Sequence, residues 1–227
     1  MECRFGKRTG KQIMTLTMLE IFDFIGTLAF AISGAIVAIR KKMDVFGVIM
    51  LAIATACGGG MIRDLIAGNT PPNVFIDPRY ALTAAAVGAA VFVFMYFHRS
   101  IPAGAAPVYE KFLFWFDTLG LAAFTADGVM VGVHTGYGGN AFLLVFLGFM
   151  TGVGGGAQRD ILADQMPDIF RKHIYALASI AGGISITFSH SLGLTWQTSM
   201  IVGFVTVILL RYLAQHFAWN LPKVNID

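Results

Sequence analysis

The sequence predicts an all-α membrane protein of seven transmembrane helices, arranged as two inverted three-helix repeats followed by a seventh helix. Three observations predict it. Only 13% of the 227 residues are charged, against about a quarter in ordinary soluble domains. Apolar runs of about 20 residues, long enough to cross a bilayer, recur along the chain. The first half of the chain also matches the second, residue against residue.

The expected spans lie near 20–39, 44–66, 80–98, 116–133, 140–163, 173–190 and 197–217. The first follows a polar leader (1–19) carrying Arg4, Lys7, Arg8 and Lys11. Its apolar run is too long for the core of a signal peptide. The second and fifth are interrupted by the glycine triplets Gly58-Gly59-Gly60 and Gly154-Gly155-Gly156, and each triplet is followed by an Arg-Asp pair. The third closes the first repeat at 98, and a connector (99–115) leads to the fourth. The sixth ends the second repeat (116–190). The seventh, in the segment 191–227, contains Arg211 and has no counterpart.

Self-comparison supports this division. Phe22, Asp23, Gly26, Phe30 and Gly34 match Phe116, Asp117, Gly120, Phe124 and Gly128 at an offset of 94. The triplets and Arg63-Asp64 match Arg159-Asp160 at 96, and Pro72, Phe75, Tyr80, Ala81 and Leu82 match Pro167, Phe170, Tyr175, Ala176 and Leu177 at 95. Three spans per unit is an odd number, so the second unit enters the membrane from the opposite face. The first span has a partner in the fourth, which also argues against its removal as a signal.

The net charge of +3 comes from 16 Lys and Arg scattered in twos and threes at the ends of apolar runs. They read as orientation signals and not as a nucleic-acid surface. Arg40, Lys41, Lys42, Arg99, Lys111, Arg159, Arg171, Lys172, Arg211 and Lys223 fall on one side, which places the amino terminus outside and the carboxyl terminus in the cytoplasm. Cys3 and Cys57 offer neither a disulfide nor a metal spacing. His98, His134, His173, His190 and His216 show no ligand spacing and lie near span ends. Trp115, Trp196, Trp219, Tyr96, Tyr109 and Tyr212 form an aromatic belt. The run Gly152-Val153-Gly154-Gly155-Gly156-Ala157 satisfies a dinucleotide fingerprint, but no strand precedes it. No paired carboxylates, Ser-His pairing or metal cluster supports an enzyme, and no cofactor is expected.

The chemistry therefore rests on a few residues. Each glycine in a helix costs about 1 kcal/mol relative to alanine. The triplets are accordingly expected to break their helices, exposing carbonyls and amides to a polar cavity near mid-membrane. The alternative is close helix packing, which uses small residues four apart. Arg63, Asp64, Arg159 and Asp160 lie one turn beyond the breaks, either at the mouths of a pathway or as ion pairs that end a helix. Asp23 and Asp117 open equivalent helices, where a negative charge favours the dipole. Asp127, about ten residues into the fourth span and opposite Gly34 of the first repeat, is a charge the repeat does not share. It either faces an aqueous path or pairs with a basic group such as Arg211.

The stretches GGGMIRDLIAGNTPP and GGGAQRDILADQMP, in a three-plus-three-plus-one chain, resemble the bacterial TRIC family of trimeric intracellular cation channels, over nearly the whole chain. The same domain family is also called a glycine transporter. The resemblance implies a homotrimer in the bacterial inner membrane, with membrane lipid around it and one hourglass pore in each protomer. That pore would be lined by the kinked second and fifth helices at Gly58 to Gly60 and Gly154 to Gly156, and would conduct monovalent cations such as K+. The lysine-rich lipid-binding motif of animal members is absent after the first triplet. A carrier of glycine or a similar small solute is the alternative, although no dedicated substrate clamp is visible.

Overall fold

Nearly every predicted apolar run becomes one helix, and side-chain caps set several of the ends. The computed structural model describes residues 10–98, 106–171 and 174–219. The helices are α1 (Gly10–Arg40), α2 (Val45–Ala67), α3 (Asn73–Ile76), α4 (Arg79–Phe97), α5 (Ala106–Gly132), α6 (Ala141–Leu162), α7 (Asp168–Arg171), α8 (Ile174–Ser191) and α9 (Trp196–His216), with a π turn at Val133–Tyr137. Asp44 caps α2 by accepting from Gly47 N at 2.8 Å, and Asn140 caps α6 by accepting from Leu143 N at 3.0 Å. Each cap satisfies an amide that has no partner within its helix.

Among the described residues, six helices are long and apolar enough to cross a membrane: 18–40, 45–67, 79–97, 109–137, 141–162 and 196–216. The protein is thus a multi-pass integral membrane protein. The 18-residue α8 packs in the same bundle against α5, α6 and α9. Two boundaries differ from expectation. The first helix starts at Gly10, inside the leader, and the fourth starts at Ala106, so much of the expected connector is helical. Cys3, Arg4, Lys7, Arg8, Arg99, Lys172, His173 and Lys223 lie outside the described residues.

The central helices α1 and α5 pack on each other. Around α1 lie α2 and α4, and around α5 lie α6, α8 and α9. Small side chains allow this closeness: Ala31, Ala35, Ala52 and Ala84 meet where α1, α2 and α4 join, and Ala123 and Ala126 meet Leu144, Ile186 and Met200 on the other side. Large apolar side chains such as Phe46, Phe97, Phe142 and Phe188 point outward, as a lipid-facing surface requires.

The expected breaks at the glycine triplets are not found. Both α2 and α6 are continuous through them, and the triplets serve the crossing of these two helices. A Cβ on Gly59 would lie 2.2 Å from the Thr151 carbonyl oxygen, and one on Gly155 would lie 2.0 Å from that of Thr55. The packing pattern is Thr55 with Gly59 and Thr151 with Gly155, small residues four apart. Looking for glycines alone hides it. Both threonine hydroxyls donate to the carbonyl four residues back, Leu51 and Leu147, at 2.6 Å, so neither leaves an unsatisfied group at the contact.

This packing makes opposite predictions for neighbouring glycines. Alanine at position 59 or 155 gains about 1 kcal/mol of helix propensity but overpacks the crossing at about 1–3 kcal/mol. Gly59→Ala and Gly155→Ala should therefore melt below wild type in detergent. At Gly60 the nearest atom to an added Cβ is 3.6 Å away, so Gly60→Ala should melt at or above wild type. Equal melting of all three would contradict the crossing.

Candidate ion pathway

Both Arg-Asp pairs are buried, and each is the centre of an ionic cluster. Arg63, near the carboxyl end of α2, donates through Nε to Asp64 Oδ1 at 3.0 Å, and Nη2 lies 2.9 Å from the same oxygen. Its Nη1 reaches across to Asp127 Oδ2 on α5. Asp64 Oδ2 accepts from Asn73 N at 2.8 Å, so this carboxylate also holds the start of α3. Asp23 and Tyr80 line a cavity with Arg63 and Asp64.

At the other end, Arg159 on α6 donates through Nε to Asp160 Oδ1 at 2.8 Å. Its Nη1 donates to Asp117 Oδ1 of α5 at 2.6 Å and to Ser33 Oγ of α1 at 2.5 Å. Asp160 Oδ2 accepts from Asp168 N at 2.9 Å, the counterpart of the α3 contact. Arg211 joins here from α9. Its guanidinium lies 4.8 Å from the ring centres of both Phe114 and Tyr175, with Nη2 4.0 Å from Asp117 Oδ2.

The two clusters correspond residue by residue: Arg63 with Arg159, Asp64 with Asp160, Asp23 with Asp117, Tyr80 with Tyr175. Two expectations are thereby corrected. Gly34 corresponds to Gly128, so at the same offset Asp127 corresponds to Ser33, and each is held by the arginine of the opposite repeat. The partner of Asp127 is Arg63, while Arg211 pairs with Asp117 and Thr118. Sequence reading missed Ser33, Thr118 and Tyr175. The offset of 94 carried through to position 33 would have found the first of these.

A cavity enters the bundle at each end. One, of about 690 Å³, opens among Arg40, Lys41, Glu110, Arg159, Arg211 and Trp219. The other, of about 50 Å³, is lined by Asp23, Thr27, Cys57, Gly60, Arg63 and Tyr80. Between them lie the α2–α6 crossing and the rings of Phe30 and Phe124, edge to face with centroids 5.3 Å apart. Gly58 and Gly156 flank the crossing: a Cβ on Gly58 would strike Gln158, and one on Gly156 would lie 2.8 Å from the Tyr175 hydroxyl. Gly154 stacks against Gly59 Cα. Among the described residues, no group of three or more His, Cys, Asp or Glu is placed to hold a metal ion.

The cluster geometry sets an order of mutational cost. Arg63→Gln leaves three buried carboxylates without their cation and should cost about 3–5 kcal/mol. Asp127→Asn leaves Arg63 paired with Asp64 and should cost less, about 1–3 kcal/mol. The two together should cost less than their sum, whereas adding Arg211→Gln to Asp127→Asn should rescue nothing. Unfolding of the four variants in detergent reads this directly, and rescue by Arg211→Gln would contradict the assignment.

The chain was compared with known proteins. A family model described as glycine transporter matches twice, at residues 20–96 and 114–191. The inner membrane protein YadS of Escherichia coli K12, of the UPF0126 group, is 36% identical over 208 residues, covering 90% of this chain and 95% of that one. A UPF0126 membrane protein of Deinococcus radiodurans is 35% identical over 206 residues, covering 90% and 91%. A solved chain from work on conductance through TRIC cation channels is 37% identical, with a TM-score of 0.78 over 92% of this chain and 98% of that one. The TRIC trimeric intracellular cation channel orthologue of Rhodobacter sphaeroides is 30% identical, with a TM-score of 0.79 over 89% and 100%. The chain belongs to the TRIC cation channel family, a family of channels and not of enzymes, whose family model carries the description glycine transporter.

Proposed function

We propose that the protein is a monovalent-cation channel, with K+ among its permeant ions and one pathway through each protomer of a homotrimer. The observation that carries this reading is the pair of polar cavities entering from opposite ends, each beside a buried arginine cluster, stopped by a contact between two helix backbones. A path of this form lies inside one chain and needs only a small separation of α2 and α6 to become continuous. The structure then corresponds to a closed state. Gly58 to Gly60 and Gly154 to Gly156 form the constriction, because residues without side chains let the parted helices present carbonyls to an ion. Arg63, Asp64, Arg159, Asp160 and Asp127 flank it.

Seven spans, with α8 as the sixth, and two inverted repeats complete the proposal. The twin ionic clusters at opposite ends support it, as does a family model that fits the chain twice. In this arrangement the amino terminus lies outside and the carboxyl terminus in the cytoplasm of a bacterial inner membrane, the membrane named for the E. coli relative. The relatives' solved structures are of trimeric cation channels, and the outward apolar faces would meet lipid and the neighbouring protomers.

The family description favours a second reading, a glycine carrier. Such a carrier needs groups that hold a carboxylate, and free helix amino ends at a mid-membrane break would serve. Continuous α2 and α6 supply none at the triplets.

Recording from purified protein in a planar bilayer separates the two. The expected result is unitary current steps carried by K+ and unchanged by glycine. Glycine flux without unitary steps would overturn the channel.

A further inference from the structure

The two cavities that flank the crossing differ in charge. The larger is lined by Arg40, Lys41, Arg159 and Arg211 against Glu110 and Asp168. The smaller is lined by Asp23 and Asp64 against Arg63. Behind these walls, Asp117 and Asp160 pair with Arg159, and Asp127 pairs with Arg63. Including them brings the larger end to formal balance and the smaller to two negative charges, so the Arg63 end is the more negative on either count. Two residues of the clusters make this difference: Asp127 stands where the other repeat has Ser33, and Arg211 comes from the helix outside the repeat. Of the two, Arg211 lines a cavity.

Arg211 is held in place but incompletely neutralised. Its guanidinium lies 4.8 Å from the ring centres of Phe114 and Tyr175, and its side chain is only 5% exposed. The hydrogen bond from Nε to Thr118 Oγ1 is long, at 3.4 Å. Asp117 Oδ2 faces it from 4.0 Å, while Oδ1 of the same carboxylate already accepts from Arg159. One carboxylate thus serves two guanidiniums at the wall of the larger cavity. A charge held this deep is screened by salt much less than one in open solvent.

We infer that the path rectifies: K+ passes more readily from the Arg63 mouth to the Arg159 mouth than in reverse, and Arg211 is the side chain that sets the difference. Carboxylates at an entrance raise the local concentration of cations, and guanidiniums lower it. A voltage that drives K+ in at the Arg63 end draws on an enriched mouth, and the opposite voltage draws on a depleted one. The matched residues of the two clusters cannot produce this, because what one contributes the other contributes too. The inference rests on the channel reading, since it describes current through that path.

The test is the current–voltage relation of single channels in a planar bilayer with the same KCl concentration on both sides. At about 10 mM, where the Debye length is about 30 Å, currents at equal and opposite voltages should differ about twofold or more. At about 1 M, where it is about 3 Å, the ratio should be smaller. Arg211→Gln should bring the low-salt ratio close to one, and Arg211→Lys, which keeps the charge and loses the planar stacking, should retain it. If Arg211→Gln does not purify as a folded protein, Lys41→Gln, at an exposed position of the same mouth, should lower the ratio in its place. Direction is read in a Cys3→Ser, Cys57→Ser chain carrying Lys41→Cys, where a bulky membrane-impermeant thiol reagent marks the Arg159 face. Equal currents at low salt, a larger current in the opposite direction, or a ratio that survives both neutral substitutions would overturn the inference and leave the channel standing. An absence of unitary K+ steps would overturn the channel reading and the inference with it.

Discussion

Arg63 and Arg159 lie near the carboxyl ends of α2 and α6, almost wholly shielded from solvent, where an unpaired guanidinium would cost about 3 kcal/mol or more. The neighbouring aspartate in each Arg-Asp pair neutralises the charge. It does not use up the donors of a guanidinium, however, and the remaining ones must find oxygens on other helices. Arg63 finds Asp127 on α5, and Arg159 finds Asp117 on α5 and Ser33 on α1. Both arginines thereby tie the crossing helices to the central pair. The bundle is held at its two ends by charge and in its middle by backbone contact.

That division bears on how such a bundle could open. The middle contact is made of glycine and threonine backbone and has few side-chain interactions to lose, whereas the ends are ionic and costly to break. A motion that parts α2 from α6 at Gly59 and Gly155 while the arginine clusters stay intact is the least expensive route to a continuous path. The same clusters give the path a direction in charge, because Asp127 stands where the other half has Ser33 and Arg211 comes from the helix outside the repeat. A protein built from matched units can differ between its two faces with only two such residues.

Most of the architecture was legible in the sequence. Apolar run length located six spans, all but the fourth to within two residues, and self-matching related the two halves before any coordinates. The start of α5 was not legible, because Tyr109, Glu110 and Lys111 read as connector while a helix projecting beyond the apolar zone tolerates them. The triplets drew attention to glycine, but the contact that matters pairs glycine with a threonine one turn earlier, a relation visible only once both helices are placed. The partner of Asp127 was equally hidden. Sequence distance says nothing about which of several buried cations a carboxylate meets across a helix interface, and Arg211 and Arg63 were equivalent on that evidence.

The central claim is that the ion path runs through the protomer and is closed at the α2–α6 crossing. Cys57 reports on it, since it lines the cavity on the Arg63 side of the crossing. Ag+, a thiol-reactive cation close to K+ in size, can be applied to either face of a bilayer containing a Cys3→Ser protein. The account predicts block from the Arg63 face whether or not the channel is open, and block from the opposite face only in proportion to the time the channel spends open. Block from both faces of a closed channel, or K+ currents that Ag+ never affects, would contradict it.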